Sequence, residues 1–136
     1  MKVEAQWQSG MHFKCSSPSN HIIDVDWGLN YSDTHGPAPM ELLLHAIASC
    51  TGMDIVFILQ KKRKKLEAFS VIVEGERAEK HPKIFTKVKM HYILQGDELT
   101  DKEVEQAISL SLDKYCSATA MIIPKAEVTW DYELNE

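Results

Sequence analysis

The groups in this sequence that can do chemistry are three thiols, Cys15, Cys50 and Cys116, and six imidazoles, His12, His21, His35, His45, His81 and His91. The cysteines are odd in number and far apart, with no CxxC and no zinc-finger spacing. That is a poor disulfide framework and suits a reducing cytoplasm, where paired cysteines are usually catalytic or redox-sensing. Cys50 lies inside an apolar run. There a free cysteine acts as a small hydrophobe, unless a cation or dipole from elsewhere in the fold makes it a nucleophile. Its own helical neighbourhood, with Leu43, Ala46, Phe57 and Asp54, favours the neutral thiol. Cys116 follows Tyr115 at a helix end. If a new helix starts at Ser117, its backbone N–H groups favour a thiolate; otherwise Cys116 is packing. No pair of histidines has metal-site spacing, so no metal and no cofactor are expected.

The element that must position Cys50 runs from Gly36 to Lys65. Pro39 suits the first helical position, where its missing N–H costs nothing. From Met40 to Leu59 the apolar residues cover nearly every helical direction, which predicts a helix buried all round. Glu41, His45 and Asp54 argue against a membrane span and for the central helix of a soluble core. The run Lys61-Lys62-Arg63-Lys64-Lys65 complements the negative end of the helix dipole.

Before this helix, residues 2–9 alternate as a half-buried strand. His12 to Ser16 returns, and Ile23, Val25 and Trp27 alternate again, so the chain opens with an antiparallel meander. Gly28 to Pro39 is a loop. After the helix, a strand runs from about Ala68 to Arg77, and a second carries Ile84, Thr86, Val88, Met90, Tyr92 and Leu94 on one face. Thr100 and Glu103 form a capping box for a helix with Val104, Ala107, Ile108, Ser111 and Tyr115 on one face, ending near Lys114. A short helix from Cys116 to Met121 and a last strand from Ala126 to Leu134 follow. This segregated order predicts one α+β domain over 1–136, with antiparallel or mixed sheets wrapped around the long central helix. So few strands cannot cover such a helix, which implies an obligate homodimer with a large apolar interface. A net charge of −5 excludes a general nucleic-acid binder, and MKVEAQWQSG alternates rather than running apolar, so no signal peptide and no membrane partner are expected.

The pattern PxELLLxAIAxC-x3-D, then GERAEKHPKIFTKVKMHYIL, LSLDKYCSATAMI and a final alternating strand resembles the OsmC/Ohr family of osmotically inducible and organic-hydroperoxide-resistance proteins. The resemblance covers essentially the whole chain. It implies an intertwined homodimer with active sites at the interface. Cys50 matches the family's peroxidatic cysteine, which a hydroperoxide oxidises to a sulfenic acid. Cys116 matches the resolving cysteine, which closes a disulfide that an external dithiol reduces. The family's usual arginine–glutamate pair has no counterpart: the only arginines are Arg63 and Arg77, and Met40, not Glu41, stands ten residues before Cys50. The thiolate is then left to another donor, His35 or a lysine of the second copy. The resemblance thus implies a thiol-dependent peroxidase of oxidative-stress defence. The alternative is a non-catalytic relative that binds an apolar small molecule in the dimer cleft or senses oxidants through Cys50.

Overall fold

A computed structural model describes residues 1–30 and 33–136. The chain forms two compact units, Met1–Leu43 and Leu44–Glu136, the boundary falling inside helix α1 (Pro39–Lys61).

The N-terminal unit is an antiparallel meander of β1 (Glu4–Ser9), β2 (His12–Ser16) and β3 (Ile22–Val25). Gly10 turns the first hairpin at a φ of +52°, backbone that glycine enters without a Cβ clash, and the Trp7 indole N–H donates to its carbonyl at 2.9 Å. The half-burial predicted for residues 2–9 is not found. β1 is exposed along its whole length, with Trp7 63% exposed. An alternating strand buries its apolar face only under a second layer, and the described residues of this unit form a single sheet. The chain then leaves β3 through Asp26, whose carboxylate accepts the Trp27 N–H at 2.8 Å and the His35 N–H at 3.0 Å. Gly36 runs so close to β3 that a Cβ there would sit 1.9 Å from the Asp24 carbonyl oxygen. Residues 31 and 32 of the predicted Gly28–Pro39 loop lie outside the described residues.

Pro39 opens α1 as expected, and Glu41 Oε2 accepts the Ala38 N–H at 3.0 Å, half of a capping box. At the other end Arg63 adopts a φ of +57°. Its N–H donates to Gln60 and that of Lys64 to Leu59, the paired bonds of a Schellman turn. The basic run is tied down there: Lys64 Nζ lies 3.3 Å from Glu103 and donates to the Glu98 carbonyl, and Lys62 Nζ donates to Gln106.

α1 is long and apolar enough to cross a membrane; in this fold it buries a single stripe of Ile47, Thr51, Ile55, Ile58 and Leu59. The predicted all-round burial is therefore corrected for one chain: Met53 is 71% and Phe57 60% exposed.

The C-terminal unit holds the core. Its sheet has the order β4 (Lys65–Arg77), β5 (Phe85–Asp97), β6 (Glu127–Asn135), with β4 antiparallel and β6 parallel to β5. A parallel neighbour needs a crossover. It is made by α2 (Asp101–Leu110), a π turn (Ser111–Tyr115) and α3 (Ser117–Ile122). Val88, Met90, Tyr92 and Leu94 of β5 are buried as the alternation predicts. At the start of β5 the alternation misleads. Glu76 faces Lys87 but Arg77 faces Phe85, so Thr86 is an extra residue in a bulge. The bulge turns Phe85 inward and leaves Ile84 38% exposed. Gly75 makes room for it, since a Cβ there would meet the Phe85 ring at 2.5 Å.

The Thr100–Glu103 capping box is present, and Val104, Ala107, Ile108 and Ser111 are buried. Beyond Leu110 the helix widens, and the Cys116 N–H donates five residues back to the Ser111 carbonyl at 2.7 Å. The wider turn takes Tyr115 off the buried face that a regular α-helix would have kept it on, leaving it 51% exposed.

Candidate functional site

The middle of α1, the π turn and the start of α3 converge on one cluster. At about 100° of rotation per residue, Cys50 and Asp54 lie one turn apart on α1, at the border between its buried stripe and the exposed stripe of Met53 and Phe57. Both are half-buried, whereas Cys116 is 2% exposed. The Sγ atoms of Cys50 and Cys116 and a carboxylate oxygen of Asp54 all lie within 4.8 Å of one another. Both thiols are free. The structure thus brings the two sequence-predicted cysteines together and adds a carboxylate; Cys15 sits on β2 of the N-terminal unit.

Cys116 is the N-cap of α3. Its Sγ accepts the Thr119 N–H at 3.4 Å and lies 2.9 Å from Thr119 Oγ1. The helix-start donors expected beyond Tyr115 are therefore in place. Burial nevertheless dominates and pushes the Cys116 thiol up; the Thr119 bonds oppose the rise and the neighbouring Cys50 adds to it. Cys116 is consequently held as a thiol.

Asp54 is fixed from behind by a chain of hydroxyls. Ser111 Oγ donates to Asp54 Oδ2 at 2.9 Å and lies 2.8 Å from Thr51 Oγ1, which lies 2.9 Å from the Tyr92 hydroxyl; that hydroxyl donates to Met90 Sδ at 3.2 Å. Thr51, Ser111 and Tyr92 are fully buried. Burial raises the Tyr92 hydroxyl to about 12 against the opposing bond from Thr51. Among the described residues Asp54 joins no ion pair.

The other groups considered from the sequence are engaged elsewhere. Arg63 forms the turn that closes α1, and Arg77 Nε donates to the Lys83 carbonyl at 2.9 Å. His35 is bonded through Nδ1 to Asp26 at 2.9 Å and stacks on the His12 ring at 4.2 Å. Sequence reasoning missed the roles of Thr51, Ser111 and Tyr92. The available signal was a hydroxyl at an inward position of an otherwise apolar face, which has to find a partner inside. Two sulfurs and a carboxylate at this spacing suit two kinds of chemistry, thiol–disulfide exchange and ligation of a soft cation.

Residues 32–133 match the family model for OsmC-like proteins. Protein YhfA of Escherichia coli strain K12 is 36% identical over 134 residues, 98% of each chain. The crystal structure of a hypothetical protein from Aquifex aeolicus VF5 superposes with a TM-score of 0.82 at 36% identity, covering 99% of this chain and 97% of the other. An organic hydroperoxide resistance protein OsmC of Legionella pneumophila superposes with a TM-score of 0.72 at 16% identity, over 98% and 97% of the two chains, which is a likeness of fold. The chain belongs to the OsmC-like family, and its mixed α+β architecture is the OsmC-like fold.

Proposed function

We propose that this protein is a thiol-dependent redox protein that reduces organic hydroperoxides, with Cys50 as the peroxidatic and Cys116 as the resolving cysteine. The observation that carries this reading is the cluster of the two sulfurs with Asp54 inside 4.8 Å, on the chain of an OsmC-like protein. The Cys50 thiolate attacks the terminal oxygen of ROOH. The O–O bond breaks, RO⁻ takes up a proton and leaves as the alcohol, and Cys50 becomes a sulfenic acid. Cys116 sulfur then displaces that hydroxyl, forming the disulfide, and its own proton leaves with the hydroxide as water. An external dithiol restores both thiols by exchange. A buried Cys116 that keeps its proton until this step fits the second role, and the half-exposed Cys50 fits the first. Met53 and Phe57, exposed beside Cys50 on α1, offer an apolar approach for an alkyl group.

The same exposed stripe supports a homodimer. A second copy that covers Met53 and Phe57 of α1 removes apolar surface from water and closes the outer wall of the substrate cleft. The second reading is favoured by a separate feature: an open groove of about 540 Å³ lined by Met53, Val56, Phe57, Phe69 and Val71. Cys50 does not line it. In that reading the chain binds an apolar small molecule without turnover, or senses oxidants through Cys50.

One experiment separates the readings. Reduced protein receives one equivalent of cumene hydroperoxide and is analysed by intact mass and peptide mapping, with Cys50→Ser and Cys116→Ser in parallel. The peroxidase reading expects loss of two hydrogens and a Cys50–Cys116 cross-link, no reaction in Cys50→Ser, and a dimedone-trappable sulfenic acid in Cys116→Ser. Equal hydroperoxide consumption by Cys50→Ser and wild type, with a dithiol present, would sink it.

A further inference from the structure

We infer that the reduced cluster is also a binding site for one soft divalent cation of the zinc class, ligated by Cys50 Sγ, Cys116 Sγ and an Asp54 carboxylate oxygen. The three donor atoms already lie within 4.8 Å of one another. Around a tetrahedral zinc with bonds of about 2.3 Å to sulfur and about 2.0 Å to oxygen, two sulfurs stand about 3.8 Å apart and a sulfur and an oxygen about 3.5 Å, so no pair has to close by more than about 1.3 Å. Paired thiolates select zinc, or cobalt as its spectroscopic substitute, over magnesium and calcium.

The surroundings are those that a metal ligand set requires. A ligating carboxylate is normally oriented by a hydrogen bond from behind, and Ser111 Oγ donates to Asp54 Oδ2 at 2.9 Å, itself braced by Thr51. A ligating thiolate is steadied by N–H donors, and Thr119 N–H already points at Cys116 Sγ at 3.4 Å. Asp54 joins no ion pair among the described residues, so a divalent ion would supply the positive charge that two thiolates and a carboxylate need in order to sit together. Half-buried Cys50 and Asp54 give the ion an entry path. Three protein ligands leave the fourth position to water or another small ligand. Binding displaces the two thiol protons, so affinity rises with pH.

This site is distinct in chemistry from the proposed reduction and does not depend on it. The one link rests on that reading: while the ion is bound, Cys50 sulfur is not free to attack a peroxide.

The test is an anaerobic titration of the fully reduced, full-length protein with Co²⁺ alone, followed by competition with Zn²⁺. The expected result is a near-ultraviolet thiolate-to-cobalt charge-transfer band that saturates at one ion per chain and is abolished by Zn²⁺. Cys50→Ser and Cys116→Ser each reduce the band to about half or less. Asp54→Asn weakens binding at least about 10-fold, and Ser111→Ala, through its positioning of Asp54, by roughly 10–100-fold. Cys15→Ser changes nothing. In the wild type, Zn²⁺ shields half-buried Cys50 from iodoacetamide but leaves Cys15 open. Absence of the charge-transfer band in the wild type overturns the proposal whatever the variants do, as does equal cobalt affinity in folded Asp54→Asn. No hydroperoxide enters the titration, so its failure and failure of the peroxidase reading are separate results.

Discussion

The two units of this chain are held by different physics. In Leu44–Glu136 the side chains that hold the fold are apolar and dry: Ile55, Leu59, Met90, Tyr92, Leu94, Val104 and Ile108 are all fully buried. Among the described residues of Met1–Leu43 one large apolar side chain, Val25, is buried, and the ties are polar. His12 Nε2 lies 2.7 Å from Asp24, His35 Nδ1 lies 2.9 Å from Asp26, and the two rings stack. Trp7, Met11, Ile22, Ile23 and Trp27 stay exposed. A three-stranded sheet needs a covered apolar face to be stable in its own right. The cluster sits in the unit that has its core, where buried hydroxyls hold Asp54 through Ser111 and Cys116 through Thr119. The N-terminal unit leaves apolar surface uncovered.

On this difference the C-terminal unit sets global stability. The largest effect is expected from Leu59→Ala, which empties a fully buried position of α1 and should cost about 2–5 kcal/mol in chemical denaturation. A loss below about 1 kcal/mol would mean that the core of this unit is not what holds the fold. Next comes Thr51→Val. It keeps the volume but removes the hydroxyl that joins Tyr92 to Ser111, and should cost about 1–3 kcal/mol. Because Ser111 then loses one of its two partners, the alkylation rate of Cys50 should shift as well, whereas a purely structural hydroxyl would change stability alone. Smaller still is Thr100→Ala, which breaks the capping box of α2 for about 1 kcal/mol.

The readability of these features from sequence follows their range along the chain. Pro39 at the start of α1, the Thr100–Glu103 box and the inward alternation of Val88 to Leu94 depend on residues a few places apart, and all three stand as expected. The bulge at Thr86 and the π turn from Ser111 each insert one residue. Either shifts the pattern by a place, and so Ile84 and Tyr115 leave the faces that the alternation and the helical spacing predict. The apolar residues around α1 read as burial in composition, but composition does not say that this fold buries one stripe of them. In the site, Cys50 and Cys116 were picked out by resemblance. Their closeness, and the row of hydroxyls behind Asp54, depend on how α1, the π turn and α3 close on one another, which no local spacing encodes.

The prediction with the smallest global effect separates the two units most sharply. The His35 backbone N–H, and then its ring, hold the Asp26 carboxyl down to about 2, and the His12 ring lowers that of Asp24. A carboxylate with a depressed folded pKa stabilises the fold above its unfolded value of 3.8 and loses that contribution as pH falls through the folded value. The window for Asp26 is therefore from about pH 4 down to about pH 2. Glu103 and Asp131 in the C-terminal unit are depressed too, but they sit at the α2 cap and against His91 rather than among the buried side chains of β5. In this window, hydrogen-exchange protection factors for β2, β3 and residues 33–38 should fall while those of β5 hold. Asp26→Asn should lower N-terminal protection already at pH 5 and flatten its acid dependence. If β5 opened at the same pH as β2 and β3, the units would share one acid transition, and the polar ties of the N-terminal unit would not be what sets its limit.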